Sequence, residues 1–177
     1  MLKINKIKCE ENSKNFDKYF IKLVEEGLTP CFSISVLKND EVIYDFAYGN
    51  SKPYKDGSMP ITKETQFNIG SVTKPLTGAL IIKLVEMGAI TLNDPVKKYI
   101  DEFKFEDITI QNLLTHTAGY AAELYERILP PPCYLGKEDV PDFLRKIYEV
   151  DQLKHKPGEV FEYFTLGYCI LMDIIER

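Results

Sequence analysis

No stretch of this chain approaches the roughly 20 consecutive apolar residues that a membrane-spanning helix needs. Its opening residues, MLKINKIKCEEN, lack the apolar run of a secretory signal. A cytoplasmic location is therefore expected of the sequence as it stands, and an exported one if a leader has been removed. Basic charge is also scarce: 22 Lys and Arg stand against 27 Asp and Glu, a formal net charge of -5, and arginine is rare. That balance argues against nucleic acid as a partner, because phosphate binding leans on clustered cations. Histidine is limited to His116 and His155, and the four cysteines (Cys9, Cys31, Cys133, Cys169) show no Cys-x-x-Cys spacing. A zinc centre has no ligand pattern to rest on, so free thiols in a reducing compartment are the better reading. Internal repeats and low-complexity tracts are missing too.

What remains is an ordinary globular composition, 177 residues with 45% hydrophobic and 28% charged side chains, enough for one domain with a real core. Ser13 to Gly27 reads as a helix capped by Ser13 or Asn12, with Phe16, Phe20, Leu23 and Val24 on one face and Gly27 at a left-handed stop. Two β-rich runs follow, Cys31 to Lys38 and Glu41 to Gly49, joined by Asn39-Asp40 as a hairpin. After a loop over Asn50 to Thr65, Ser71 to Gly88 is helical and apolar on most sides, the pattern of a helix buried mid-fold. Asp94-Pro95 predicts a short helix through Tyr99, Thr109 to Thr115 another, and Glu138 to Tyr148 and Thr165 onward two more. Pro130-Pro131-Pro132 marks an irregular connection. The class is α+β: residues 1–65 hold a helix and a hairpin, and 66–177 form a mostly helical lobe of the same domain. Two strands alone are marginal, since three or more are normally needed for a stable sheet.

One spacing carries chemistry. In Ser71-Val72-Thr73-Lys74, residues three apart share a helical face, so the Lys amine can approach the Ser hydroxyl and activate it as a nucleophile. Spacing alone is weak: with so few serines the chance expectation is about 0.6 occurrences. Ser35-Val36-Leu37-Lys38 repeats the pattern in a predicted strand, where residues three apart face opposite sides. Context separates the two. Ser71 follows Gly70 and opens a helix whose Pro75 falls in the first turn, where no helical hydrogen bond is lost.

Three segments in order, FNIGSVTKPLTGALIIKLVEMGAITLNDPVKKYI, ITIQNLLTHTAG and PGEVFEYFTLGYCILMDIIE, resemble the penicillin-recognising serine hydrolases of the class C β-lactamase type. That group includes D-alanyl-D-alanine carboxypeptidases, D-aminopeptidases and esterases. The resemblance covers Cys31 to Arg177. It implies a β-lactamase-like (serine transpeptidase-like) fold, acyl transfer to a small-molecule or peptide substrate, and no metal or cofactor. Residue by residue, it implies that Ser71 is the acylated nucleophile and that its N–H is one oxyanion donor. Lys74 then helps deprotonate the serine, and Tyr163 relays protons to the leaving group. His116 falls in the LLTHT-type segment, whose family role is structural. Without the resemblance, Tyr163 reads as a core aromatic and Lys74 as a solvated helix-end lysine.

Two departures from the pattern qualify this. The asparagine of the family's Tyr-x-Asn element is Thr165 here, which puts one hydroxyl where a carboxamide both donates and accepts; Thr165 then either meets substrate or caps the last helix. The family's later strands, with its Lys-Thr-Gly or His-x-Gly element and second oxyanion donor, have no counterpart in this sequence. A truncated β-lactamase-like domain of weak or absent activity is the expectation, because losing one oxyanion donor costs about 10²–10³ in rate. The alternative is a non-catalytic ligand- or partner-binding module on the same fold. Either can self-associate through the exposed hairpin. Tyr120 and Tyr125, in the aromatic- and proline-rich segment Tyr120 to Lys137, are expected to border the cleft. β-Lactam, D-amino-acid peptide and ester substrates are not separated by these residues.

Overall fold

A computed structural model describes residues 10–51, 59–128 and 139–177, with side chains from Lys14 onward. Cys9, Cys133, the triple proline and Glu138 lie outside the described residues. The chain divides into two compact units, Met1–Asn68 and Ile69–Arg177.

In the first unit, helix α1 (Glu10–Glu25) begins earlier than its polar residues predict, so Asn12 and Ser13 lie inside its first turn and not at the cap position. It stops as expected at Gly27, whose φ of 73° lets Leu28 N–H return to the Leu23 carbonyl. Strands β1 (Cys31–Lys38) and β2 (Glu41–Gly49) pair antiparallel. Asn39 and Asp40 take φ of 50° and 62°, the left-handed pair of a type I′ turn that matches strand twist. One sheet face gathers Phe32, Tyr44, Phe46 and Tyr48. Helix α1 lays Phe20 against Phe32 and Phe16 against Tyr44, with ring centroids 4.8 and 5.9 Å apart. Tyr44 donates to Asp17 at 2.8 Å. Among the described residues of this unit only Ile61 is a buried hydrophobic, the thin core expected of a two-stranded sheet.

The second unit holds the main core. A 3₁₀ turn at Gly70–Thr73 feeds helix α2 (Lys74–Glu86), which tolerates Pro75 in its first turn. Pro95 does not start a helix: it is itself extended and precedes a 3₁₀ turn, Val96–Lys98, while Asp94 accepts Thr91 N–H at 2.8 Å. Helix α3 (Ile110–Leu114) carries a reciprocal cap between Thr109 and Asn112. A short α4 (Leu124–Ile128) appears where the sequence reading assigns no element. Helices α5 (Val140–Tyr148) and α6 (Thr165–Glu176) complete the unit. Ile81, Phe103, Ile110, Leu113, Leu166 and Ile170 make the centre of the core.

Helix α2 departs from expectation. Only Thr77 and Ile81 are buried along it, while Leu76 and Met87 are 59% and 68% exposed. One side meets α6, where Thr77 Oγ1 donates to Met172 Sδ at 3.5 Å, and the described residues of the unit offer nothing of comparable extent to the opposite side. Among the described residues, no helix is long and apolar enough to cross a membrane.

Candidate active site

Ser71 sits on the 3₁₀ turn that leads directly into α2 at Lys74, and its side chain is exposed. Lys74, the first residue of α2, returns its Nζ to Ser71 Oγ at 3.1 Å. The second hydrogen bond to that oxygen comes from 92 residues away: Tyr163 donates its phenol O–H at 2.7 Å. The three residues singled out in the sequence therefore converge on one hydroxyl. By contrast, Ser35 lies on the hairpin and donates to Asp45 at 2.9 Å, a sheet-surface contact with no Lys38 partner.

Tyr163 is delivered by the segment preceding α6, and His116 holds that segment. The His116 carbonyl accepts Glu162 N–H at 2.9 Å, and His116 Nδ1 accepts Phe164 N–H at 3.2 Å. These bonds bracket Tyr163 on both sides. His116 itself has φ of 56°, a left-handed conformation uncommon outside glycine and asparagine, which turns its ring toward the segment. That ring packs on Tyr163 at 4.5 Å and on Tyr168 at 5.3 Å, centroid to centroid. The Lys74 Nζ lies 5.0 Å from the Tyr163 ring and 5.5 Å from the Tyr168 ring, favourable positions for a cation over aromatic faces. Tyr168 is anchored in turn by donating to the Leu114 carbonyl at 2.9 Å.

The electrostatics follow from this packing. The Tyr163 phenol is held below its ordinary value first by its polar contacts with Lys74 and Ser71, then by the Lys74 charge and a contact with Thr165. The His116 imidazole is pushed down by burial and by the Lys74 charge. Cys169, a free thiol on α6, is pushed up by burial.

The two residues expected to meet substrate, Thr165 and Tyr120, fare differently. Thr165 does not cap α6: Phe164 occupies the cap position with no side-chain bond, and Thr165 interacts with the Tyr163 phenol. Tyr120 is not at a cleft border. Its side chain is 1% exposed, stacked on Phe164 at 4.5 Å and edge-on to Phe105, and its hydroxyl has no hydrogen-bond partner among the described residues. Gly119, immediately before it, brings its backbone close against that of His155. Tyr125 keeps partial exposure, and the rest of its segment beyond residue 128 lies outside the described residues.

Sequence reasoning missed two contributors. Tyr168 supplies the second aromatic face to Lys74. Glu162, next to Tyr163, takes Ala122 N–H at 2.7 Å, Lys154 at 3.0 Å and His155 Nε2 at 3.1 Å, tying three segments together behind the site. Its carboxyl is held below the usual range, first by the Ala122 N–H and then by Lys154 and His155. The tyrosine five residues after Tyr163 was a visible signal for the first. Nothing local distinguishes Glu162 from any exposed glutamate.

Comparison with known proteins bears on this arrangement. The family model described as Beta-lactamase matches residues 16–177. Protein flp of Staphylococcus aureus (strain N315) is 31% identical over 173 residues, covering 94% of this chain and 34% of that protein. The solved octameric penicillin-binding protein homologue from Pyrococcus abyssi superposes with a TM-score of 0.72 at 32% identity, over 93% of this chain and 38% of the other. EstCE1, described as a hydrolase with promiscuous acyltransferase activity, gives a TM-score of 0.80 at 25% identity, over 93% and 46%. The chain thus spans between a third and a half of the length of each of these relatives.

Proposed function

The chain belongs to the beta-lactamase family, and from that premise we propose that it is a serine hydrolase acting by acyl transfer on a β-lactam, D-amino-acid peptide or ester. The observation that carries the reading is the pair of hydrogen bonds on Ser71 Oγ, from Lys74 at 3.1 Å and Tyr163 at 2.7 Å. In this mechanism Tyr163 reacts as the phenolate that the adjacent Lys74 charge favours: Ser71 Oγ attacks the substrate carbonyl and its proton passes to the phenolate oxygen, which becomes the phenol. Lys74 stays protonated and balances the negative charge as it moves from Tyr163 to the tetrahedral intermediate. Collapse of the tetrahedral intermediate breaks the bond to the leaving group, which takes the proton from Tyr163. Water then repeats the sequence on the acyl-enzyme and returns the proton to Ser71. The lowered phenol of Tyr163 supports its role as proton carrier, and the two tyrosine faces support Lys74 as a fixed cation. We read both units as parts of one β-lactamase-like domain.

Intact-mass measurement after incubation with a fluorophosphonate and, separately, a reactive penicillin tests the reading. One adduct per chain, mapped to the peptide holding Ser71, is expected. No adduct on a chain with the circular dichroism of a folded protein overturns it for this chain. The binding-module alternative then stands, favoured by Thr165 standing where the family's Tyr-x-Asn element has asparagine.

Self-association belongs to the same reading. Among the described residues the sheet has two strands, leaving each an outer edge without a ladder. Light scattering over a hundredfold concentration range is expected to show mass rising above 20.4 kDa. A constant monomer mass would exclude pairing of hairpins between copies.

A further inference from the structure

We propose that His116 is a positioning residue that holds Tyr163 on Ser71 only while its imidazole is neutral, so that protonating His116 disengages the site. The inference rests on the acyl-transfer reading of Ser71, Lys74 and Tyr163, and adds a residue to which the resemblance gives only a structural part.

Geometry carries it. His116 Nδ1 accepts Phe164 N–H at 3.2 Å, so the lone pair faces a donor and the neutral ring carries its proton on Nε2. An imidazolium would aim an N–H at an N–H, and that bond cannot survive. Phe164 directly follows Tyr163, and its amide is one of the two bonds that bracket the tyrosine; the other, Glu162 N–H to the His116 carbonyl, comes from the same histidine. The ring also packs on Tyr163 itself at 4.5 Å and makes edge contact with Phe161. Loss of the Nδ1 bond therefore frees the segment that delivers the phenol.

The charges around His116 act in the same direction. From α2, Lys74 presents its ammonium to the rings that His116 touches, and it disfavours a second cation there. Tyr163, before α6, and Tyr168, on α6, face the imidazole with their rings. The one nearby carboxylate on these elements, Glu162, is held by Ala122 N–H, Lys154 and His155. Burial and Lys74 hold the imidazole below its ordinary value, so the neutral form prevails at pH 7. The folded state releases its proton more readily than the unfolded chain. Stability is therefore present above about pH 6.5 and declines as pH falls through that value toward the lower folded one.

The test compares the wild type with His116→Asn and His116→Phe. Asparagine keeps an acceptor near the position of Nδ1, tolerates positive φ and cannot protonate. Phenylalanine keeps a ring and removes the acceptor. Fluorophosphonate labelling of Ser71 in the wild type is expected to fall about tenfold per pH unit below the His116 midpoint. In His116→Asn that break disappears, and His116→Phe labels about tenfold more slowly at all pH values. Nitrogen NMR of the wild type, which needs no reactivity, should report the Nε2–H tautomer at neutral pH and a Phe164 amide shift sharing the midpoint of His116. A wild-type chain that never labels, yet shows that tautomer and shared midpoint, fails the acyl-transfer reading and keeps the positional coupling. Labelling with the same pH break in His116→Asn, or a Phe164 amide indifferent to His116 protonation, overturns the proposal.

Discussion

Ser71→Ala is expected to yield no covalent adduct with either probe while leaving the circular dichroism of the chain unchanged. The side chain is exposed and its hydroxyl makes no contact that supports the core, so its loss removes chemistry and little else. Tyr163→Phe is the sharper variant, because it keeps the ring against His116 and Lys74 and deletes only the oxygen bonded to Ser71. A proton carrier contributes about 10²–10⁴ in rate, and a fall of that size in labelling is expected. Lys74→Met removes the other partner of the hydroxyl and the cation that favours ionised Tyr163. Since both partners act on one oxygen, the double variant should cost far less than the product of the two single effects. Full additivity would mean that the two side chains act separately. An adduct persisting in Ser71→Ala would place the nucleophile elsewhere.

Much of this arrangement was legible before any coordinates. The hairpin bounds follow from two β-rich runs around Asn39-Asp40, because only a left-handed pair of residues closes a two-residue turn with the right twist. The start of α3 was readable at Thr109, while its reciprocal cap with Asn112 emerges only in the structure. Ser71 and Lys74 were visible as a local spacing, although the turn that presents the serine is 3₁₀. What periodicity cannot encode is which aromatic faces inward across a loop. Tyr120 and Tyr163 sit in comparably aromatic segments, yet one is sealed against Phe164 and the other reaches Ser71. The difference lies in tertiary bonds from His116 to the segment of Tyr163 and in a close approach of Gly119 to His155, both contacts between stretches remote in sequence. Helix α2 misled for a related reason. An apolar circumference signals burial only when partners exist on every side, and within the second unit the described neighbours reach one.

Gly119→Ala is the substitution expected to damage the second unit most. Gly119 has φ of 88°, where an L side chain is strained, and a Cβ there would run into the His155 carbonyl oxygen and lie 3.1 Å from its carbon. That backbone cannot simply retreat, because the Gly119 carbonyl accepts both Lys154 and His155 N–H at 2.8 and 3.1 Å, and Gly158 N–H bonds the Thr117 carbonyl at 2.8 Å. Strain and collision together should cost about 3 kcal/mol or more. For a chain of this size that corresponds to a fall in Tm of about 10 °C. Gly88→Ala supplies the control. Its φ of 72° imposes similar strain, but nothing lies within 4 Å of the added Cβ, so about 1–2 kcal/mol is expected. Thermal unfolding followed by circular dichroism reads both variants, and equal losses would show that the close approach to His155 contributes nothing. The displacement also has a chemical consequence. His155 bonds Glu162, the neighbour of Tyr163, so pushing the 154–158 segment outward draws the phenol from Ser71. Ser71 labelling should therefore fall in Gly119→Ala at temperatures well below its unfolding, and stay near wild type in Gly88→Ala.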